Sequence, residues 1–255
     1  MNNKSLMTLI VVILTSGLLF WYRQVNITPQ ADLPNTLIIG TSADFPPFAF
    51  TDTNHELTGF DIAIAKEVGK RLGMTTDIQD MRFDLLLPEL QMGHIHMIAA
   101  GLTPTPERAQ NVLFTKPYIS ANPLVVVSLA TNPIDSIEEL KNKEVIVNTG
   151  YSADTYLAQF PDINLTRLNT IAEAFAVLDK GGATAFVTAS NTLKPVFEKL
   201  DKQRFKTFIL PQSDETNALA ISKRYDYLLP KIQKALDDMQ ADGTIDALKQ
   251  EWKLV

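Results

Sequence analysis

Short apolar runs alternate with amphipathic helical stretches from residue 36 to the end of the chain. That rhythm restricts the chain to α/β architecture. Thr36-Leu-Ile-Ile-Gly40 stops at a glycine and reads as a buried strand. Gly59 to Gly73 reads as a helix. Phe60, Ile64, Val68 and Leu72 return every four residues, while Lys66, Glu67, Lys70 and Arg71 occupy the other face. Phe83 to Met92 repeats the helical pattern, and Met97-Ile-Ala-Ala100 is a second buried strand closed by Gly101. Pro104 and Pro106 bracket Thr105 just before Glu107-Arg108, and proline suits a first helical turn.

The second half keeps the rhythm. Leu124 to Val127, Glu144 to Asn148, Ala183 to Val187, Phe205 to Leu210 and Asn217 to Ile221 read as strands. Ser136 with Glu139 and Thr170 with Glu173 are capping boxes that open helices. Helices are also expected over Ser152 to Phe160, Asn191 to Leu200, from about Pro230 to Asp242-Gly243, and over Ile245 to Trp252. This order predicts largely parallel sheets with right-handed crossovers. Ligands then sit beyond the carboxyl ends of strands. Three such ends stand out: Gly40-Thr41-Ser42, Gly101-Leu102-Thr103 and Asn148-Thr149-Gly150.

Of the 255 residues, 45% are hydrophobic and 20% charged, enough for one large domain or two lobes. The net charge of −6 comes from interleaved acids and bases with no long basic run, which argues against nucleic acid as a partner. Cysteine is absent, which removes disulfides, thiol catalysis, thiolate metal sites and an acylated lipoprotein anchor. Lys4 precedes the apolar run Leu6 to Phe20, closed by Trp21, Tyr22 and Arg23. Residues 1–32 therefore read as an export signal plus a polar linker. Either the signal is cleaved before about Asp32, or it stays as an anchor with the rest of the chain outside. A mature N-terminus at Ala31 or Asp32 would remove the anchor reading.

The residues that could carry chemistry cluster at the strand ends. In Gly101-Leu-Thr-Pro-Thr-Pro-Glu-Arg108, a turn into a helix offers backbone N–H groups, Thr103 and Thr105 add hydroxyls, and Arg108 adds a fork for a carboxylate. The plain alternative is a capped helix whose arginine pairs with a neighbouring glutamate. Thr149-Gly150-Tyr151-Ser152 could donate to the same anion from an opposing surface, although a serine at a helix start is more often just a cap. Phe45, Phe48 and Phe83 could sandwich a flat or cationic side chain, or simply pack the core. His94 and His96 have no evident third ligand, so no metal is expected. No nucleophile elbow, phosphate loop or zinc-protease motif is present.

Three elements together resemble bacterial extracellular solute-binding protein family 3, the polar amino-acid-binding proteins of ABC importers. The first is Gly40-Thr-Ser-Ala-Asp-Phe-Pro-Pro-Phe48 followed by Leu57-Thr-Gly-Phe-Asp-Ile62 and Phe83. The second is the Gly101–Arg108 loop followed by Phe114-Thr-Lys-Pro-Tyr118. The third is the tail Asp242-Gly-Thr-Ile-Asp-Ala-Leu-Lys-Gln-Glu-Trp252. The resemblance implies a two-lobed type II periplasmic binding protein fold with two crossover hinge strands. Lobe one would hold residues 33–117 and 218–255, lobe two residues 123–214, with hinges near 118–122 and 213–217. Arg108, Thr103 and the Gly101 backbone would take the ligand α-carboxylate from lobe one, and Ser152 from lobe two. Phe45 and Phe83 would flank the ligand side chain, with Ser42, Asn148, Tyr151 and Thr188 completing the lining.

The resemblance also implies a periplasmic, non-enzymatic monomer that needs no cofactor. It would capture a small amino acid, of arginine or glutamine class, and hand it to an ABC permease. In two places the chain departs from the family. An aspartate usually takes the ligand ammonium just after the strand read at Ala183 to Val187, but here Thr188-Ala189-Ser190 stands there. Ser42 stands where members often carry Asp, Asn or Glu. Two other functions remain open: a cyclohexadienyl dehydratase-like enzyme on the same fold, and a membrane-tethered ligand-sensing ectodomain.

Overall fold

The computed structural model describes residues 33–254, so the expectations for the N-terminal segment lie outside the described residues. In chain order the first part contains β1 (Thr36–Thr41), β2 (Asp44–Phe45), β3 (Ala49–Thr51), β4 (Leu57–Thr58), α1 (Phe60–Leu72), β5 (Thr75–Asp80), α2 (Phe83–Met92), β6 (Met97–Ile98), α3 (Pro106–Ala109) and β7 (Leu113–Phe114). The middle part contains β8 (Ile119–Leu129), β9 (Glu144–Asn148), α4 (Ser152–Leu157), β10 (Asn164–Leu168), α5 (Ile171–Asp179), β11 (Ala185–Ala189), α6 (Leu193–Phe197) and β12 (Phe205–Asn217). The chain ends with β13 (Ala220–Ile221), α7 (Leu229–Ala241) and α8 (Thr244–Glu251).

Two five-stranded sheets organise these elements. The first has the order β5-β1-β6-β13-β7, the second β10-β9-β11-β8-β12. A small three-stranded sheet, β2-β3-β4, stands beside them. In the first sheet β1 runs parallel to β5 and β6, while β13 is antiparallel to β6 and β7. In the second, β9 is parallel to β10 and β11, while β8 is antiparallel to β11 and β12. The sheets are thus mixed rather than largely parallel. In the second sheet the antiparallel pairs arise where the chain enters along β8 and leaves along β12. Each of these is one long strand, of 11 and 13 residues, where the sequence suggested shorter pieces. Their pairing carries register shifts between Ile209 and Asp214 and between Glu215 and Asn217.

The helices follow from their patterns. In α1, Phe60, Ile64 and Val68 are fully buried, and Gly73 closes the helix in the left-handed region with its N–H on the Lys70 carbonyl. Leu86 and Leu90 of α2 pack with Ile95, Ile98 and Val112 in one core, while Val126, Val145, Val147, Leu157 and Val187 form another under the second sheet. Thr170 caps α5 by accepting from the Glu173 N–H at 3.1 Å, as its box predicted. The Ser136/Glu139 box instead opens only a single tight turn at Glu138–Leu140. The helices expected after Ser152 and Asn191 are shorter than their patterns, at six and five residues.

Candidate functional site

A small, partly open cavity lies between the two sheets. Phe45, Phe83, Gly101, Thr103 and Arg108 line it from the first-sheet side, and Leu124, Tyr151, Ser152, Ala153, Thr188, Ala189 and Glu215 from the β8–β12 side. Its volume is about 10 Å³, close to what one water needs. Eight of the ten residues singled out from sequence converge here. Ser42 and Asn148 do not line it. The Ser42 hydroxyl donates to Asp44 at 2.9 Å, and the Asn148 amide donates to the Leu168 carbonyl at 3.4 Å.

The loop from Gly101 to Arg108 presents its groups in a fixed order. Gly101 takes φ +62, and a Cβ there would drive into the Phe45 ring. Its N–H donates to the buried Asp61 carboxylate, so that donor is already engaged. Burial pushes the Asp61 carboxyl up to about 7, against the stabilising hydrogen bonds from Gly101 and Tyr118. Thr105 caps α3 by accepting the Arg108 N–H. The Arg108 guanidinium donates to the Thr103 carbonyl at 2.7 Å and to the Gly150 carbonyl across the cavity at 2.9 Å. It also stands 5.9 Å from the centre of the Phe83 ring. Burial lowers its pKa, and the nearby charges of Glu215 and Glu107 act in the opposite sense. The Thr103 hydroxyl is buried without a hydrogen-bond partner. A guanidinium bonded to neutral carbonyls beside a free hydroxyl is a receptor suited to a carboxylate.

The aromatic residues do not form an open sandwich. Tyr151 stands between Phe45 and Phe83, with ring centroids at 5.4 and 4.2 Å. Its hydroxyl donates to Asp44 at 3.1 Å. Burial raises the Asp44 carboxyl, while the Ser42 and Tyr151 hydroxyls partly stabilise its charge. Tyr151 also holds the cap position of α4, so Ser152 falls one residue inside that helix. On β11, Thr188 shares a 3.2 Å contact with the Thr192 hydroxyl, and Ala189 is 4% exposed at the cavity wall.

Glu215 was missed in the sequence reading. It is 6% exposed and lies on β12, paired in register with Asn122. Burial raises its carboxyl to about 7, with the Ser152 side chain and the Arg108 charge pulling it back. The sequence assigns the stretch 213–217 to a hinge and gives it no ligand role. The one available signal was the acid pair Asp214-Glu215 in the crossover before Asn217. The histidine pair is split: His94 is exposed and meets Glu89 at 2.8 Å, while the buried His96 ring nitrogen accepts the Ile38 N–H. Among the described residues no cluster of three metal-ligating side chains occurs.

Known proteins point the same way. The family model for Bacterial extracellular solute-binding proteins, family 3, matches residues 37–255. The arginine-binding extracellular protein of Bacillus subtilis (strain 168) is 28% identical over 221 residues, covering 85% of each chain. An ancestral arginine-binding protein bound to arginine superposes with a TM-score of 0.82 at 34% identity, over 87% of this chain and 99% of its own. An ancestral amino acid-binding protein, described as a precursor of cyclohexadienyl dehydratase, superposes with a TM-score of 0.77 at 32% identity, over 86% and 95%.

Proposed function

Because this chain belongs to the bacterial extracellular solute-binding proteins, family 3, we propose that it captures a polar amino acid outside the cytoplasm and delivers it to an ABC permease. The observation that carries this reading is Arg108. Its guanidinium faces the cavity with neutral carbonyls as its hydrogen-bond partners and the unpartnered Thr103 hydroxyl nearby. Bonds to an incoming carboxylate would be charge-assisted and bidentate, stronger than those to carbonyls. Arginine and glutamine are the first ligands to test, since relatives are described as arginine-binding.

In this reading residues 33–117 with 218–255 form one lobe, and residues 123–214 the other. The stretches 118–122, at the start of β8, and 213–217, at the end of β12, act as hinges, and opening there admits the ligand to a cavity too small to receive it closed. The receptor acts as a monomer without a cofactor, and residues 1–32 export it or tether it to the membrane. Calorimetric titration of the exported protein with the twenty amino acids tests the reading. At least one should bind, and small-angle scattering should show compaction at saturation. Failure of every amino acid to bind would overturn it.

A second reading has one observation in its favour. Glu215 is a buried acid whose carboxyl sits at about 7, which suits general acid–base work, and one structural neighbour is described as a dehydratase precursor. Incubation with prephenate or arogenate would yield an aromatic product if this reading held.

A further inference from the structure

We infer that Glu215 receives the α-ammonium of the captured amino acid from the crossover strand β12. This rests on the amino-acid reading above and deepens it.

The wall where an acid is expected carries no charge. Residue 189 ends β11 with a methyl group, and its hydroxyl-bearing neighbours are engaged. The Thr188 hydroxyl meets that of Thr192, and the Ser190 hydroxyl donates to Asn122. A buried ammonium facing only these groups would lose most of its hydration without a counter-charge.

Glu215 lines the same cavity with a carboxylate. Its Oε1 is buried and has no hydrogen-bond partner. A buried acceptor left unpaired is costly, and an ammonium with three donors removes that cost.

The position also fits the geometry of a zwitterion. The carboxylate and ammonium of an α-amino acid are attached to one carbon. The acid that holds the ammonium must therefore sit beside the arginine that holds the carboxylate. Glu215 and Arg108 are close enough for each charge to act on the other, yet the guanidinium bonds of Arg108 go to carbonyl oxygens. The two charges can thus serve opposite ends of one ligand. The charged or titratable groups around Glu215 include Arg108, and the Ser152 side chain contacts it. Asp44 and Asp61 engage Ser42, Tyr151 and Gly101 instead.

The test is calorimetry on wild type, Glu215→Gln, and the double variant Glu215→Gln with Ala189→Asp. The probes are three pairs: L-arginine and 5-guanidinopentanoate, L-glutamine and glutaramate, L-alanine and propionate. Each second member lacks only the ammonium. Wild type should prefer the amino acid in any pair it binds. Glu215→Gln should weaken that amino acid by about a hundredfold, the loss typical of a broken buried charge pair. The same change should leave the des-amino acid unchanged or tighter, because an anion no longer faces a carboxylate. The double variant should recover about tenfold, since residue 189 borders the same cavity.

An unchanged amino-acid affinity in Glu215→Gln, or an equal loss for both members of a pair, would overturn the inference and leave the receptor reading standing. No preference in wild type, which needs no variant to fold, would do the same. If no amino acid binds wild type, the receptor reading falls and this inference with it.

Discussion

The two halves of the proposed binding site are built in opposite ways. The carboxylate half is a single loop of eight residues, Gly101 to Arg108. Gly101 turns the chain, Thr105 starts the helical turn, and Arg108 folds back onto the Thr103 carbonyl. The ammonium half is assembled from distant parts of the chain, Ala189 on β11 and Glu215 on β12. A contiguous receptor can hardly lose one member without losing its shape. A dispersed one can exchange its acid between strands, because only the point in space matters. In the proposed site, the acid of this chain stands on a crossover strand, at Glu215.

The sharpest way to break the contrast is Arg108→Ala. It should abolish measurable amino-acid binding, at a cost of about 2–5 kcal/mol, and unchanged calorimetric affinity would remove Arg108 from the site. Gly101→Ala should follow, because φ +62 and the Phe45 ring leave no room for a methyl group. Strain of this kind costs about 1–3 kcal/mol, read as a lower melting temperature together with weaker binding.

A smaller effect concerns pH. Burial holds the Glu215 and Asp61 carboxyls at about 7, above their ordinary values of 4.5 and 3.8. Below those ordinary values both are protonated whether the chain is folded or not, so neither affects stability. Between them and about 7 the unfolded chain releases protons that the folded chain retains, so stability falls as pH rises. Above about 7 the full loss is present. Glu215→Gln should therefore raise the ligand-free melting temperature relative to wild type more at pH 8 than at pH 5, by the equivalent of about 2 kcal/mol. An offset independent of pH would contradict the buried position of this acid. The smallest effect is expected from Tyr151→Phe, which removes a hydroxyl that bonds Asp44 and should cost about 1 kcal/mol in thermal unfolding.

The same contrast decides what could be read from the sequence. β1, α1 and the Gly101–Arg108 loop were legible because their signals are local: an apolar run, a four-residue period, a glycine before paired prolines. Thr75–Asp80 and Asn164–Leu168 were not recognised as strands. Each is an edge strand with part of its length exposed, so each stays polar and shows no apolar run. Tyr151 and Ser152 were legible as a strand-to-helix turn, but a single sequence does not reveal that Tyr151 inserts between Phe45 and Phe83. Glu215 was invisible for a related reason. Its neighbours in space come from positions 108 and 152, and its own segment pairs with β8 across two register shifts.

The strand order has a consequence for assembly as the chain emerges from its N-terminus. Every strand of the second sheet lies within the continuous stretch 119–217, so that sheet can form as soon as this stretch has emerged. The first sheet cannot. β13 lies between β6 and β7 and pairs with both, so β7 has no place until residues 220–221 arrive, more than a hundred residues after it. A chain that emerges from its N-terminus therefore begins its first sheet early and completes it last, with a finished second sheet already hanging from the unfinished one. A chain interrupted before Ala220 would carry one intact sheet and one split sheet, leaving the Gly101–Arg108 loop, which lies between β6 and β7, without a fixed floor.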